Sequence, residues 1–391
     1  MTPVKIYLRL DLIKHLKRGN PWVFKDALEK LPSQESGLAH LYDHKKEFIG
    51  LGLFDPTINL VFRLLKLNVK NFHAEEFKNR LKKAFDLRRP YLEVEHNSYR
   101  LLNGEGDECP GLVIDVYGHV AIIKTDGEAA RKFWTSMPLV EELKVRLPHL
   151  ECIYLKHHHR EETKGKILWG HEENLKSTLI LEYKMKFLAN LIDGAKTGFF
   201  LDQRENRLLI KKMSEHKSVL NLFSYTGGFS IAAGIGKAKY VTSIDLAPKA
   251  IEAAKENWIL NKLDPQNHQA LCADIFEWLK EQINKKEKWD LIIVDPPSMA
   301  PNEKSKIEAK KAYQELFKQC IQLVSPLGLI ALSSCTGHID YEEFIEICLE
   351  SVGLARRQAK VVEMKGQPLD HPFPLSLPQM RYLKFILLQL D

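Results

Sequence analysis

Residues 219–245 read VLNLFSYTGGFSIAAGIGKAKYVTSID. An apolar run, Val219–Phe223, ends in the turn Thr226-Gly227-Gly228. A stretch of helical spacing follows over Ser230–Lys237, and a second apolar run, Tyr240–Asp245, ends in an acid. That is strand, helix, strand. The alternation continues outward. Strands are expected at His268–Cys272, Leu291–Asp295, Leu329–Ser334, Lys360–Glu363 and Tyr382–Leu390, with helices at Pro248–Leu263, Ile275–Lys286, Ser305–Val324 and Tyr341–Val352. Such alternation implies a mostly parallel sheet covered on both faces, so residues 186–391 read as a doubly wound α/β domain.

Upstream the texture differs. Val4–Leu10, Leu38–Asp43, Phe48–Phe54 and Asn59–Leu65 alternate apolar with polar residues between turn signals, which predicts a small β-barrel-like module over residues 1–70. Phe72–Leu92 has helical spacing (Phe72, Phe77, Leu81, Phe85) and dense Lys and Arg on its other face. Residues 71–185 also carry strand-like runs, Val113–Tyr117, Val120–Lys124 and Cys152–Lys156, and read as a central α+β domain.

The chain has 391 residues, 45% of them hydrophobic and 28% charged, enough for two or three packed domains. The formal net charge of +6 permits a polyanionic partner without requiring one. No apolar run is long enough to span a membrane, and Met1–Leu16 interleaves charged with apolar residues, unlike a signal peptide. A cytoplasmic protein with reduced thiols is expected. Cys109, Cys152, Cys272, Cys320, Cys335 and Cys348 are scattered without a C-x-x-C pair, which argues against zinc ribbons and disulfide frameworks. The run His157-His158-His159 cannot converge on one ion from a regular strand, so a solvated turn or an RNA-facing patch is preferred and no metal is expected.

In doubly wound sheets ligands bind beyond the carboxyl ends of the strands. Asn221–Gly228 follows the first strand, and its glycines let backbone approach a ligand, yet it is not G-x-G-x-x-G, which disfavours a dinucleotide pyrophosphate. Asp245 ends the second strand, where a carboxylate can accept from both ribose hydroxyls. Ala273-Asp274-Ile275 follows the third and could hold an adenine, although strand-end aspartates are also common helix caps. Together these positions indicate an adenosine ligand without pyrophosphate, and S-adenosylmethionine fits better than NAD. The fourth strand ends in Asp295-Pro296-Pro297, whose prolines make a rigid turn with Asp295 at the rim. The fifth ends in Ser333-Ser334-Cys335-Thr336-Gly337. Cys320 and Cys348 lie in helical patterns and read as inert core thiols, as do Cys152 and Cys272; Cys335 lies at the carboxyl edge instead.

These residues resemble the bacterial large-subunit ribosomal RNA cytosine-C5 methyltransferases, built from a PUA domain, a central domain and a Rossmann-like catalytic domain. The resemblance rests on Asn221–Ser230, Asp295-Pro296-Pro297 and Ser334-Cys335, and on Lys196–Arg204, which is similar to the segment lining the family's cofactor pocket. Arg18–Phe24, Gly104–Gly111, Asp370-His371-Pro372 and Tyr382-Leu383-Lys384 match further family stretches, while Cys109 and Ser298 depart from its pattern. The resemblance implies S-adenosylmethionine as cofactor, with Phe200, Asp202, Arg204, Phe223, Tyr225, Thr226, Asp245, Asp274 and Ile275 as its binding residues. It implies large-subunit ribosomal RNA as partner, Cys335 as nucleophile and a possible homodimer. Strands four and five as neighbours would set Asp295 about 5 Å from Cys335 along the sheet, to bond N3 or the exocyclic amine and deliver a proton as the thiol adds, and His371 is a candidate base for the C5 proton.

The chemistry is consistent. C5 of cytosine is a poor nucleophile, and a thiolate adding at C6 converts it into an enamine-like carbon. The base must be unpaired or flipped out. Phosphate contacts could come from Lys14, Lys17, Arg18, Lys78, Arg80, Lys82, Lys83, Arg88 and Arg89. An RNA base N-methyltransferase on the same fold is the alternative. It would need no thiol and would place an aromatic residue where Ser298 stands. A noncatalytic RNA-binding protein is a third reading, and a nicotinamide dehydrogenase a fourth.

Overall fold

The computed structural model describes residues 3–92, 96–156, 165–194, 196–300 and 302–391. Packing divides the chain into two units. The first comprises Met1–Ile180, Ala189–Leu201 and Leu369–Pro378, and the second Leu181–Leu188, Asp202–Pro368 and Gln379–Asp391.

The first unit contains two five-stranded sheets. In one, the neighbours run Val4–Tyr7, Gly37–Tyr42, Phe48–Phe54, Phe62–Leu67 and Trp22–Val23. Its last long strand starts at Phe62 rather than Asn59, because the Asp55 carboxylate takes the Thr57 amide at 3.1 Å and hydroxyl at 2.6 Å and holds the preceding turn. In the other, Lys166–Gly170, Cys152–Lys156, Val120–Thr125, Leu112–Tyr117 and Ser98–Asn103 are neighbours in that order. Leu53 and Leu65 of the first sheet share one apolar cluster with Leu101, Ile114 and Ile153 of the second. The boundary expected at residue 70 therefore separates two sheets within one packed unit.

The helix Ala74–Leu92 corrects one expectation. Its buried stripe is Phe77, Leu81, Ala84 and Arg88. Arg88 is fully buried, grips Asp107 with two bonds of 2.5 and 2.7 Å, and also donates to the Asp370 carbonyl. Arg80 is buried against Glu76 and the Leu65 carbonyl. Neither arginine presents its guanidinium to a phosphate, whereas Lys82, Lys83 and Arg89 are exposed. His157–His159 lies outside the described residues.

The second unit is built on one seven-stranded sheet. Its strands are β1 (Ser218–Leu222), β2 (Tyr240–Asp245), β3 (His268–Cys272), β4 (Trp289–Val294), β5 (Val324–Ser334), β6 (Ala359–Lys365) and β7 (Lys384–Leu390). Its helices include α1 (Gly228–Ile235), α2 (Pro248–Leu260), α3 (Ile275–Lys285), α4 (Lys306–Gln322) and α5 (Tyr341–Leu354). The strand order is β3-β2-β1-β4-β5-β7-β6, parallel except for antiparallel β7. Leu291, Ile292, Ile293 and Val294 of β4 are all buried, as a central strand covered on both faces requires. Leu222, Val294, Ile330 and Leu332 pack with Leu279, Phe317 and Phe344 of α3, α4 and α5 in the core of this unit. At about 25 cal/mol per Å², burying each such side chain contributes roughly 1.5–3 kcal/mol.

Candidate functional site

The register of the second sheet aligns its strand ends. Leu271, Ile244, Leu222, Val294, Leu332 and Ile386 are partners in turn across the sheet. One residue further on, Asp245, Phe223 and Asp295 stand at a common level. Strand order reverses between β1 and β4, so these three surround the switch point where such sheets take their ligands.

The turn from β1 into α1 is held in an unusual conformation. Phe223, Tyr225 and Gly227 have φ of 57°, 47° and 82°. Left-handed backbone costs an L-residue with a side chain roughly 1–2 kcal/mol, so the surroundings must impose it. They do so through four hydrogen bonds. The Ser224 amide donates to the Ile244 carbonyl at 3.0 Å, the Tyr225 amide to Asp245 at 2.8 Å, the Gly227 amide to the Ser224 carbonyl at 2.9 Å, and Asn257 to the Thr226 carbonyl at 3.0 Å. Gly227 is required as well, since a Cβ there would lie 3.0 Å from that of Ala254. Within this cradle Ser224 Oγ and Asn221 Oδ1 are buried with no hydrogen-bond partner among the described residues. Asp245 accepts the Tyr225 and Ala247 amides, one on each oxygen, and each oxygen keeps a lone pair for a hydroxyl. Buried orphan acceptors beside such a carboxylate suit a hydroxyl-rich, amine-bearing ligand such as an adenosyl amino acid.

The remaining cofactor candidates divide. Asp274 caps α3, accepting the Phe276 and Glu277 amides at 2.9 and 3.1 Å, and Ile275 lies in the core at 5% exposure. Asp202 and Arg204 are buried in the second unit. Asp202 accepts the Tyr382 hydroxyl at 2.7 Å, and Gln203 between them donates to Ser333 Oγ at 3.1 Å, which ties this segment to the end of β5. Phe200 belongs to the first unit, under the Lys196 ammonium at 4.7 Å, next to Thr197, whose hydroxyl bonds Asp115 and Tyr117. His371 also belongs to the first unit, where its ring bonds Asp370 at 2.9 Å.

Asp295 and Cys335 are half-buried on neighbouring strands. Counted from the Val294–Leu332 pair, they stand one and three residues on, which is the same parity and so the same face of an extended strand. Their two turns are stitched together by Thr336. Its hydroxyl lies 3.3 Å from Ser298 Oγ and 2.9 Å from the Tyr313 hydroxyl, which in turn accepts from Ser334 at 3.1 Å. Cys109, Cys320 and Cys348 are buried among apolar groups that push their thiols well above the usual range. Burial pushes the Cys152 thiol up to about 11. Cys272 is exposed at the sheet's far strand. Among the described residues no cluster of His, Cys, Asp and Glu is placed to hold a metal, and no helix is long and apolar enough to cross a membrane.

Sequence reading missed Tyr313, Thr336, Ser224 and the burial of Lys384. For Lys384 a signal existed, namely a lysine directly before the apolar run FILL.

The chain is similar to known proteins over its whole length. A family model described as S-adenosylmethionine-dependent methyltransferase matches residues 149–357, and one described as PUA-like domain matches 6–67. A ribosomal RNA large subunit methyltransferase of Deinococcus radiodurans is 33% identical over 98% of this chain and 98% of its own. A ribosomal RNA large subunit methyltransferase I of Aeromonas salmonicida is 32% identical over 97% and 98%. A solved methyltransferase complexed with SAH superposes with a TM-score of 0.88 at 26% identity, covering 100% of both chains.

Proposed function

The chain belongs to the S-adenosylmethionine-dependent methyltransferases, with a PUA-like domain at its N-terminal end, and we propose that it methylates C5 of a cytosine in large-subunit ribosomal RNA through an adduct on Cys335. The observation that carries this reading is the stitching of the Asp295 and Cys335 turns through Ser298, Thr336 and Tyr313. A rim carboxylate and a thiol at neighbouring strand ends are what C5 chemistry needs and what amine methylation does not. Ser298 follows the Pro296-Pro297 turn, where an N-methyltransferase would use an aromatic ring to stack its base.

S-adenosylmethionine supplies an electrophilic methyl group. Ser224, Asn221, Asp245 and the backbone of Tyr225–Gly227 would hold it, and Asp202 and Arg204 of the same unit are further candidates. The thiolate of Cys335 forms a bond to C6, and the displaced electron pair raises density at C5. Asp295, in its protonated form, bonds N3 or the exocyclic amine and delivers its proton to the ring as Cys335 adds. Once C5 has taken the methyl that the bound cofactor would supply, its proton passes to a base and the C5–H electron pair re-forms the C5–C6 double bond. The S–C6 pair leaves with sulfur as the Cys335 thiolate, while N3 returns its proton to Asp295. The target base must leave its stack to reach this edge. Exposed Lys14, Lys17, Lys82 and Lys83 are candidates for RNA backbone contacts in the first unit. Lys17, Lys82 and Lys83 line a groove there of about 1010 Å³, together with Lys66 and several glutamates.

The test is transfer of labelled methyl from S-adenosylmethionine to unmodified large-subunit ribosomal RNA, followed by identification of the labelled nucleoside. Label is expected in 5-methylcytidine and is expected to vanish in Cys335→Ala. Label on an exocyclic nitrogen or a purine would replace this reading with the N-methyltransferase one.

A further inference from the structure

Lys384 is the first residue of β7 and pairs across the sheet with Ser334, the residue before Cys335. Its side chain is fully buried. The ammonium donates to the carbonyls of Thr336 at 2.5 Å, Ile339 at 2.7 Å and Tyr382 at 2.8 Å. A lysine ammonium has three donors, and all are spent on these carbonyls. It therefore has none to offer a substrate, and it can act on chemistry only by holding the turn and by its charge.

We propose that Lys384 is a positioning residue for Cys335, clamping the turn 335–339 and supplying the buried positive charge that favours the thiolate. The proposal rests on the reading of Cys335 as nucleophile. Its geometric basis is that two of the three carbonyls lie on the turn Cys335 opens. An isolated charge is costly inside a protein, so its retention needs a compensating partner. Burial lowers the Lys384 pKa to about 8, while the negative charges of Cys335, Asp340 and Glu343 act to raise it. Attraction between charges is mutual, so the ammonium favours the Cys335 thiolate as the thiolate favours the ammonium. Glu343 is largely occupied by Lys306 and Lys310, and Asp340 caps α5 on the exposed side of the turn. From α4, the Tyr313 hydroxyl faces the same turn. A neutral amine has only two hydrogens to donate, so loss of the proton would also loosen the clamp.

The test is the rate of Cys335 alkylation by iodoacetamide against pH, read on its own peptide by mass spectrometry in the full chain. In Lys384→Met the curve is expected to move up by about one pH unit, which makes alkylation roughly tenfold slower at pH 7.5 and equal to wild type at strongly alkaline pH. Lys384→Arg is expected to restore most of the neutral-pH rate. A Lys384→Met profile that overlays wild type, or is scaled equally at every pH, would overturn the proposal. If that variant does not fold, the wild-type protein decides. Cys335 should alkylate half-maximally at lower pH than exposed Cys272, and equal midpoints overturn the idea. Full methyl transfer by Cys335→Ala would defeat the nucleophile reading yet leave the alkylation result standing, so the two failures are distinguishable.

Discussion

Asp245 fixes the β1–α1 turn and faces the expected ribose position with one carboxylate. Its two oxygens take the Tyr225 and Ala247 amides at 2.8 and 2.9 Å. In Asp245→Asn one of those amides meets an NH2 group, which cannot accept. The Tyr225 amide is half-buried and the Ala247 amide exposed, and losing their charge-assisted bonds costs about 1.5–3 kcal/mol, a loss that falls on a turn already held at positive φ. The variant is expected to bind S-adenosylmethionine at least tenfold more weakly in a calorimetric titration while remaining folded. Unchanged affinity would remove Asp245 from the cofactor site. At this scale the sequence was partly legible. The strand-end places of Asp245, Phe223 and Asp295 were readable because the apolar runs that precede them mark where the strands stop. Arg88 was misread as a solvated cation because the apolar stripe of its helix was traced through Phe85. The stripe actually runs Phe77, Leu81, Ala84, Arg88, and what keeps Arg88 buried is Asp107, a partner distant in sequence. Thr336 and Tyr313 carry no sequence signal, since their roles exist only once α4 packs beside β5.

Among elements, β2 and β3 run Tyr240–Asp245 and His268–Cys272 as their apolar runs predict. β5 begins at Val324, earlier than expected, because Pro326 and Gly328 look like a turn yet lie in an irregular stretch between the Trp289–Val324 and Leu291–Leu329 pairs. Below the β1–α1 turn, β1, β2 and β3 are joined through α1 by hydrogen bonds from Asn221 to Ser230 (2.8 Å), between the Ser230 and Ser243 hydroxyls (2.6 Å), and between Ser243 and the His268 ring (2.7 Å). His268 also stacks on Trp258 at 4.3 Å. Burial, with a smaller push from Lys255, lowers its pKa from 6.5 to about 4. The unfolded chain takes up this proton near pH 6.5 and the native chain only near 4. Stability is therefore present above 6.5 and lost as pH falls towards 4, by about 3 kcal/mol. Urea unfolding of the wild type at pH 7 and 4.5 should show most of that loss, and His268→Gln should show clearly less. An equal loss in both proteins would mean that other groups carry the acid sensitivity.

At the level of the whole molecule, the alternation from residue 219 onward announced the catalytic fold, because local periodicity records helices and strands faithfully. What it could not record is the return of distant segments. Ala189–Leu201 and Leu369–Pro378 pack with the first unit, so both the Lys196–Arg204 and the Asp370–Pro372 stretches depend on contacts made far along the chain. Asp370 meets Arg88 and the Arg100 amide within that unit, a structural role the sequence match alone did not reveal. The proposed adduct between Cys335 and C6 of a cytosine belongs to the second unit. RNA carrying 5-fluorocytidine tests it most directly, since fluorine at C5 cannot depart as a proton does and the S–C6 bond cannot then be broken by elimination. With S-adenosylmethionine present, a denaturation-resistant protein–RNA complex is expected whose crosslinked peptide contains Cys335 and which is absent in Cys335→Ala. Efficient methylation of ordinary RNA, with no trapped complex on the fluorinated RNA, would contradict it.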